Sequence, residues 1–271
     1  MPNIDILVLA ILQGATEFLP IGSSGHLTTA PQLYCWGPQA PGLALAALLG
    51  ALVAVMVCFA GDLIGMGQGL LKVLRGKRDG RVRLIGLLLV AAIPYLVVAF
   101  LVERYAGDAL RSPLVIGSAF IFFGLLLYGA DRLGLTVRRI EHMTFGQALT
   151  VGLLQCAAVI PGASGTGITM TMGRVLGYER LEAVRFAFLL SIPILAAMAA
   201  YKGWLVFQAG SEIDLRQAAL AFGLSAVAGF LAIAFLGYWV RRSGFAPFVL
   251  YSVAFGLYVL YVFYVGGGPA C

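Results

Sequence analysis

The sequence predicts an all-α polytopic membrane protein, with six transmembrane helices plus two re-entrant helical hairpins in an inverted-topology repeat. Three observations predict it. Hydrophobic residues make up 61% of the chain and charged residues 11%, with mean hydropathy +0.96, a balance outside the range of soluble globular domains. Six runs are long and apolar enough to cross a hydrocarbon core of ~30 Å. Two further apolar stretches are interrupted by proline, glycine and polar residues: QGATEFLPIGSSGH at 13–26 and QCAAVIPGASGTG at 155–167. The apolar runs recur along the whole length, so residues 1–271 read as one membrane domain with repeat halves of about 1–130 and 145–271.

Residues 1–20 carry an apolar run without a basic leader or a small-residue cleavage site, so they do not read as a signal peptide. Residues 4–19 as a helix reach about 24 Å at 1.5 Å per residue, short of a full crossing. A half-membrane hairpin, entering as far as 20–25 and returning through 26–33, fits better. Spans follow at 43–60, 84–102 and 114–130. The intervening stretch 62–83 is rich in arginine and reads as a solvated cytoplasmic loop. The stretch 146–177 is broken at Pro161, Gly162, Gly165 and Gly167 and reads as the second hairpin, before spans at 186–207, 218–240 and 248–265. Non-helical backbone at that depth is tolerated only inside protein or along a wet cavity.

Lysine and arginine mark cytoplasmic loops. With 62–83 inside and each hairpin returning to its own side, 13 basic residues fall inside and 4 outside (Arg104, Arg111, Lys202, Arg216), Arg174 staying within the second hairpin. The same topology opens the first hairpin outward and the second inward, so each half is one hairpin plus three spans of opposite orientation. A sequence echo agrees: Leu12-Gln13 leads to Leu19-Pro20 and Ser23, and Leu154-Gln155 leads to Ile160-Pro161 and Ser164. Inverted repeats with broken helices build their ligand site near the midplane. The basic residues sit at segment ends and form no continuous face, which argues against nucleic acid as a partner. Cys35, Cys58, Cys156 and Cys271 show no metal or redox spacing. Cys35 and Cys271 could share a compartment, but a disulfide between them is not expected.

The two breaks carry the chemistry. Glu17 alone among twelve acidic residues lies well inside an apolar segment, and an ionisable group at membrane depth marks function by default. Gln13 and Glu17, four apart, share a helix face. Amide oxygen plus carboxylate suits a hard divalent cation that keeps water or phosphate oxygens. Pro20 and Pro161 stop the helices before them. Ser23, Ser24 and Gly25, and Ser164, Gly165, Thr166 and Gly167, then offer free amides at helix starts, which bind phosphate. Thr16 and Thr169 join the phosphate-binding set. His26, three residues after Ser23, can act as base, acid or direct nucleophile, although Ser-x-x-His is weak by itself. His142 beside Arg138 and Arg139 reads as ordinary surface.

GATEFLPIGSSGHL resembles the first signature of bacterial undecaprenyl-pyrophosphate phosphatases, and PGASGTGITMTMGRVLGYER with EAVRFAFLLSIP resembles their second. The resemblance covers essentially the whole chain. It implies a multi-pass protein of the bacterial inner membrane that hydrolyses polyprenyl pyrophosphate to the monophosphate, recycles the carrier for peptidoglycan and affects bacitracin sensitivity. It also implies Mg²⁺ or Ca²⁺ on Gln13 and Glu17, an active-site Ser23 and His26, and hydroxyls at Ser164 and Thr169. In the second signature Gly165 stands where the family carries arginine, and in the first Gly22 stands for a usual serine. A polyprenyl-phosphate transporter of the same architecture is the alternative, and a homodimer stays open.

Overall fold

The computed structural model describes the chain apart from residues 1–3, 38, 77–78, 108, 135–136, 211–213 and 267–271. Among the described residues it is helical, without strands beyond one isolated bridge between Arg138 and Tyr178. In chain order the α-helices are α1 (Ile4–Phe18), α2 (Ser23–Tyr34), α3 (Pro41–Cys58), α4 (Ala60–Leu74), α5 (Arg81–Tyr105), α6 (Pro113–Leu133), α7 (Phe145–Gln155), α8 (Gly165–Val175), α9 (Arg180–Gln208), α10 (Leu215–Val240) and α11 (Ala246–Tyr264). Six of them, α3, α5, α6, α9, α10 and α11, are long and apolar enough to cross a membrane. They coincide with the six expected spans.

Of the five remaining helices, α1 with α2 and α7 with α8 form two broken pairs. α1 ends at Phe18 and α2 starts at Ser23, leaving Pro20 in the gap, where its ring and missing N–H forbid continuation. α7 starts with a capping box, in which the Gln147 amide donates to Thr144 Oγ1 at 3.2 Å and the Thr144 amide donates to Gln147 Oε1 at 3.0 Å. It tightens into a 3-10 turn at Cys156–Val159 and breaks before Pro161. α8 restarts with Ser164 as N-cap, its hydroxyl accepting from the Gly167 amide at 3.0 Å.

The stretch expected as a solvated loop is instead helix α4 over most of its length; Lys77 and Arg78 lie outside the described residues. Leu63, Ile64, Met66, Leu70, Leu71, Val73 and Leu74 fall on one side of α4, while Asp62, Gln68 and Lys72 fall on the other. Glycines at 61, 65, 67 and 69 hide this pattern, since glycine is a poor helix former. The glycine side is used for packing: Gly65 and Gly69 lie against Arg81 and Asp79.

The halves pack reciprocally. α1 of the first half lies on α10, as α7 of the second half lies on α5; α3 meets α9 and α6 meets α11. Exchanging the halves reproduces these pairs. Small residues permit the approach: a methyl on Gly14 would collide with the Ser225 carbonyl, and one on Gly152 with the Ala91 carbonyl. Phe18, Leu48, Phe188 and Leu236 fill one core region, and Leu87, Ala91, Val151 and Leu189 the other. Leu89, Val227 and Leu250 are exposed, as suits a lipid-facing surface.

At one end of the bundle a buried charge cluster ties four segments together. Asp131 of α6 accepts from Arg174 Nε of α8 at 3.2 Å and from Arg180 Nε of α9 at 2.7 Å. Its other oxygen accepts from the Phe245 amide ahead of α11 at 3.3 Å. Arg174 also donates to the carbonyls of Tyr178 (2.6 Å) and Gly134 (2.9 Å). This arginine is therefore a structural fastener. Cys35 is disulfide-bonded. Cys58 and Cys156 are free thiols, and Cys271 lies outside the described residues.

Asp131→Ala is expected to destabilise the protein by roughly 3–5 kcal/mol, because it strands buried guanidinium charge. Glu179→Ala, which removes an exposed pair with Arg139 at 3.6 Å, should change stability by less than about 1 kcal/mol. Denaturant unfolding in detergent micelles reads both.

Candidate active site

The two breaks touch through bare backbone. Gly22 has φ +76° and Gly162 φ +98°, both in the left-handed region that favours glycine. A Cβ built on Gly22 would stand 2.6 Å from the Gly162 oxygen, and one on Gly25 would stand 2.7 Å from Gly162 Cα. A Cβ on Gly162 would in turn meet the Ile116 oxygen of α6 at 2.6 Å. No side chain fits between these turns, so the ends of α1 and α8 are brought together. Thr166 Oγ1 then lies 3.3 Å from the Glu17 carbonyl and 3.5 Å from the Leu19 carbonyl, bonding the first turn of α8 to the last of α1.

Beside this joint lies a cavity of about 320 Å³. Gln13, Glu17, Ser23, Ser24, Gly165 and Thr166 line it, so six of the residues singled out in the sequence converge on one space. Gln13 Nε2 donates to Glu17 Oε2 at 2.9 Å, as four-residue spacing on a helix dictates. Ser23 lines the same cavity as Glu17, one helix break further along the chain. Gly165 is not sterically closed: a Cβ there would meet Ala158 and Gln155 at 3.6 Å, ordinary contact distance.

Other singled-out residues lie behind the wall. Thr16 donates to the Leu12 carbonyl at 2.7 Å and Thr169 to the Gly165 carbonyl at 3.0 Å, each bonding back along its own helix. Ser164 is spent on capping α8 and sits 3.1 Å from Thr166 Oγ1. Gly25 is buried at the joint. His26 is 3% exposed: its Nδ1 donates to the Gly22 carbonyl at 2.8 Å, which leaves Nε2 to accept from the Tyr251 hydroxyl at 2.7 Å. Phe255 stacks on the imidazole at 4.4 Å between centroids, with Phe120 edge-on at 5.0 Å. His26 therefore fastens the turn that carries Ser23 to α11. His142 is exposed.

Residues passed over in the sequence also face the cavity. Gln155 lines it from the end of α7, and its Oε1 is buried without a hydrogen-bond partner among the described residues. Its place in the LQ echo of Gln13 was the available signal. Tyr95, Ser191 and Lys202 come from α5 and α9, where nothing local distinguishes them from packing residues. A larger cavity, about 630 Å³, lies between α4, α5 and the start of α9. It contains none of the candidate residues, so size alone does not identify the site.

Among the described residues no group of three or more His, Cys, Asp or Glu could hold a metal. The cavity nevertheless fits a hard divalent cation. It offers the Glu17 carboxylate, the Gln13 amide and the unpartnered Gln155 oxygen, all of the donor type that Mg²⁺ and Ca²⁺ prefer, with room left for water or phosphate oxygens.

Because the Gly22–Gly162 contact admits no Cβ, Gly22→Ala and Gly162→Ala should each destabilise the protein by roughly 2 kcal/mol or more. Gly165→Ala should be neutral or slightly stabilising. Thermal unfolding of the three variants provides the comparison.

The family described as "Bacitracin resistance protein BacA" matches residues 6–258. The chain is 41% identical over 270 residues to "Undecaprenyl-diphosphatase 1" of Rhodospirillum rubrum, covering 97% of this chain and 96% of that one. It is 43% identical over 260 residues to "Undecaprenyl-diphosphatase" of Desulforudis audaxviator, covering 94% and 96%. It is also 41% identical over 269 residues to the protein of that name from Maricaulis maris, covering 98% and 100%. Six helices fit to cross a membrane, a Glu17–Ser23 cavity between two glycine-joined breaks and this full-length similarity lead to one conclusion: the chain belongs to the bacitracin resistance protein BacA family.

Proposed function

We propose that this protein is a multi-pass phosphatase of the bacterial inner membrane, hydrolysing undecaprenyl diphosphate to the monophosphate and inorganic phosphate. The observation that carries this reading is the convergence of Gln13, Glu17, Ser23, Gln155, Gly165 and Thr166 on one cavity. Curated relatives of near-full coverage bear the name of that activity. Transport of lipid phosphate without hydrolysis is disfavoured by the same names.

In this reading the two broken pairs are re-entrant hairpins, opening to opposite sides of the membrane and meeting at Gly22 and Gly162. The diphosphate occupies the polar wall, while Leu27, Leu48 and Leu195 offer apolar surface to the start of the polyprenyl chain. Ser23 Oγ attacks the terminal phosphorus as Glu17 takes its proton. The bridging P–O bond breaks and its electron pair leaves on the lipid monophosphate. Water then attacks the phosphoseryl phosphorus, and Glu17 returns the proton to Ser23 Oγ as that bond breaks; the protons of water leave on inorganic phosphate. The Gly165 and Thr166 amides at the start of α8 face the developing charge. Glu17, Gln13 and Gln155 would hold a Mg²⁺ or Ca²⁺ ion, which when bound neutralises phosphate oxygens. His26, held by Tyr251 and the Gly22 carbonyl, keeps the turn under Ser23 in register.

Purified protein in detergent should release phosphate from farnesyl diphosphate with added Mg²⁺ or Ca²⁺, and a chelator should stop it. Ser23→Ala and Glu17→Gln should each lower the rate by roughly 10²–10⁴-fold. Full turnover in either variant would refute the site. Tyr251→Phe, which removes the donor to His26, should lower kcat more than it raises KM.

A further inference from the structure

The cavity follows one face of α9. Ala187, Ser191, Ile194, Leu195, Met198 and Lys202 recur at helical spacing along its wall. From Ser191 to Lys202 the axial rise is about 16 Å at 1.5 Å per residue, so the lysine marks one end of the cavity. Arg185, at the opposite end of this helix, lines the larger cavity. Lys202 is half-buried, and among the described residues it makes no hydrogen bond or ion pair. Other cations on or next to α9 are engaged: Arg174 and Arg180 with Asp131, and Arg185 with Asp62 at 2.6 Å. Lys202 and Glu17 line the same cavity.

We infer that Lys202 is a substrate-binding residue, its ammonium gripping non-bridging oxygens of the diphosphate held between α1, α8 and α9. The inference rests on reading this cavity as the substrate site. A half-buried ammonium without an internal partner in an apolar helix is expensive and marks a ligand path. Its position in the cavity wall supplies the path. A diphosphate carries more negative charge than a single divalent ion cancels, and Glu17 adds to the excess. Lysine answers this with a mobile point charge on a flexible stem, able to follow the substrate as one phosphate is transferred. The competing account is that Lys202 merely extends its ammonium to the membrane surface.

The test compares wild type with Lys202→Met and Lys202→Arg in detergent, using farnesyl diphosphate as substrate and inorganic pyrophosphate as competitor. The expected result for Lys202→Met is a rise of about tenfold or more in both KM and the pyrophosphate inhibition constant, the size of one charge-assisted contact. Its melting temperature without ligand should stay unchanged, and Lys202→Arg should recover most of the binding. Unchanged KM and inhibition constant in Lys202→Met would overturn the inference in favour of surface extension. Equal losses of thermal stability in both variants would overturn it in favour of a structural role. If wild type releases no phosphate, the proposed function falls by itself. The shift in melting temperature that pyrophosphate gives wild type, retained or lost in Lys202→Met, then still decides the role of the lysine.

Discussion

Direct backbone contact between Gly22 and Gly162 is the constraint on which the rest of this molecule depends. Each glycine turns a chain that a proline has just stopped, and each turn occupies space that any side chain would need. The contact joins elements 140 residues apart in sequence and makes the wall of a cavity out of two helix ends that could not form one separately. The bond from Thr166 to the Glu17 carbonyl, and the seat of Gly162 against the Ile116 oxygen, secure the same joint from two sides. Polar groups on α1 and α8 thereby face each other across a space lined by α5 and α9. Within lipid, such an interruption of helix is tolerated where it is buried in protein or lines a wet cavity.

Charge is distributed unequally about this joint. Asp131 and Arg174 are buried and Arg180 half-buried; mutually satisfied and outside the cavity lining, they pin α6, α8, α9 and the start of α11. Glu17 accepts from the Gln13 amide, and among the described residues no arginine is bonded to it. A carboxylate solvated by neutral donors stays available to a metal, a proton or a substrate, whereas one locked by guanidinium groups does not. The contrast sets an acid locked into the fold apart from one left open to a cavity.

The spans were readable because hydrophobic length is a one-dimensional property. The breaks were readable because proline and glycine act locally. The course of α4 was obscured by four glycines, which suppress helix propensity even where amphipathic spacing is present. Within the site, spacing correctly paired Gln13 with Glu17. It could not say which side of the α2 turn would face the cavity, and His26 lies on the far side, bonded to Tyr251. That bond joins residues 225 apart and has no local trace. Lys202 was visible in the sequence as one of four outer cations. Its place in the cavity wall follows from how α9 packs on α3 and α8.

The packing of Gly14 on Ser225 and of Gly152 on Ala91 holds the two halves at a separation that no larger residue would allow. The cavity lies between those halves, so its width is inherited from contacts that never meet a ligand. A bulkier residue at either crossing would splay the groups that line the cavity while leaving each of them intact. In a survey of inactive alleles, these remote glycines would therefore be mistaken for chemistry, although their defect is one of spacing.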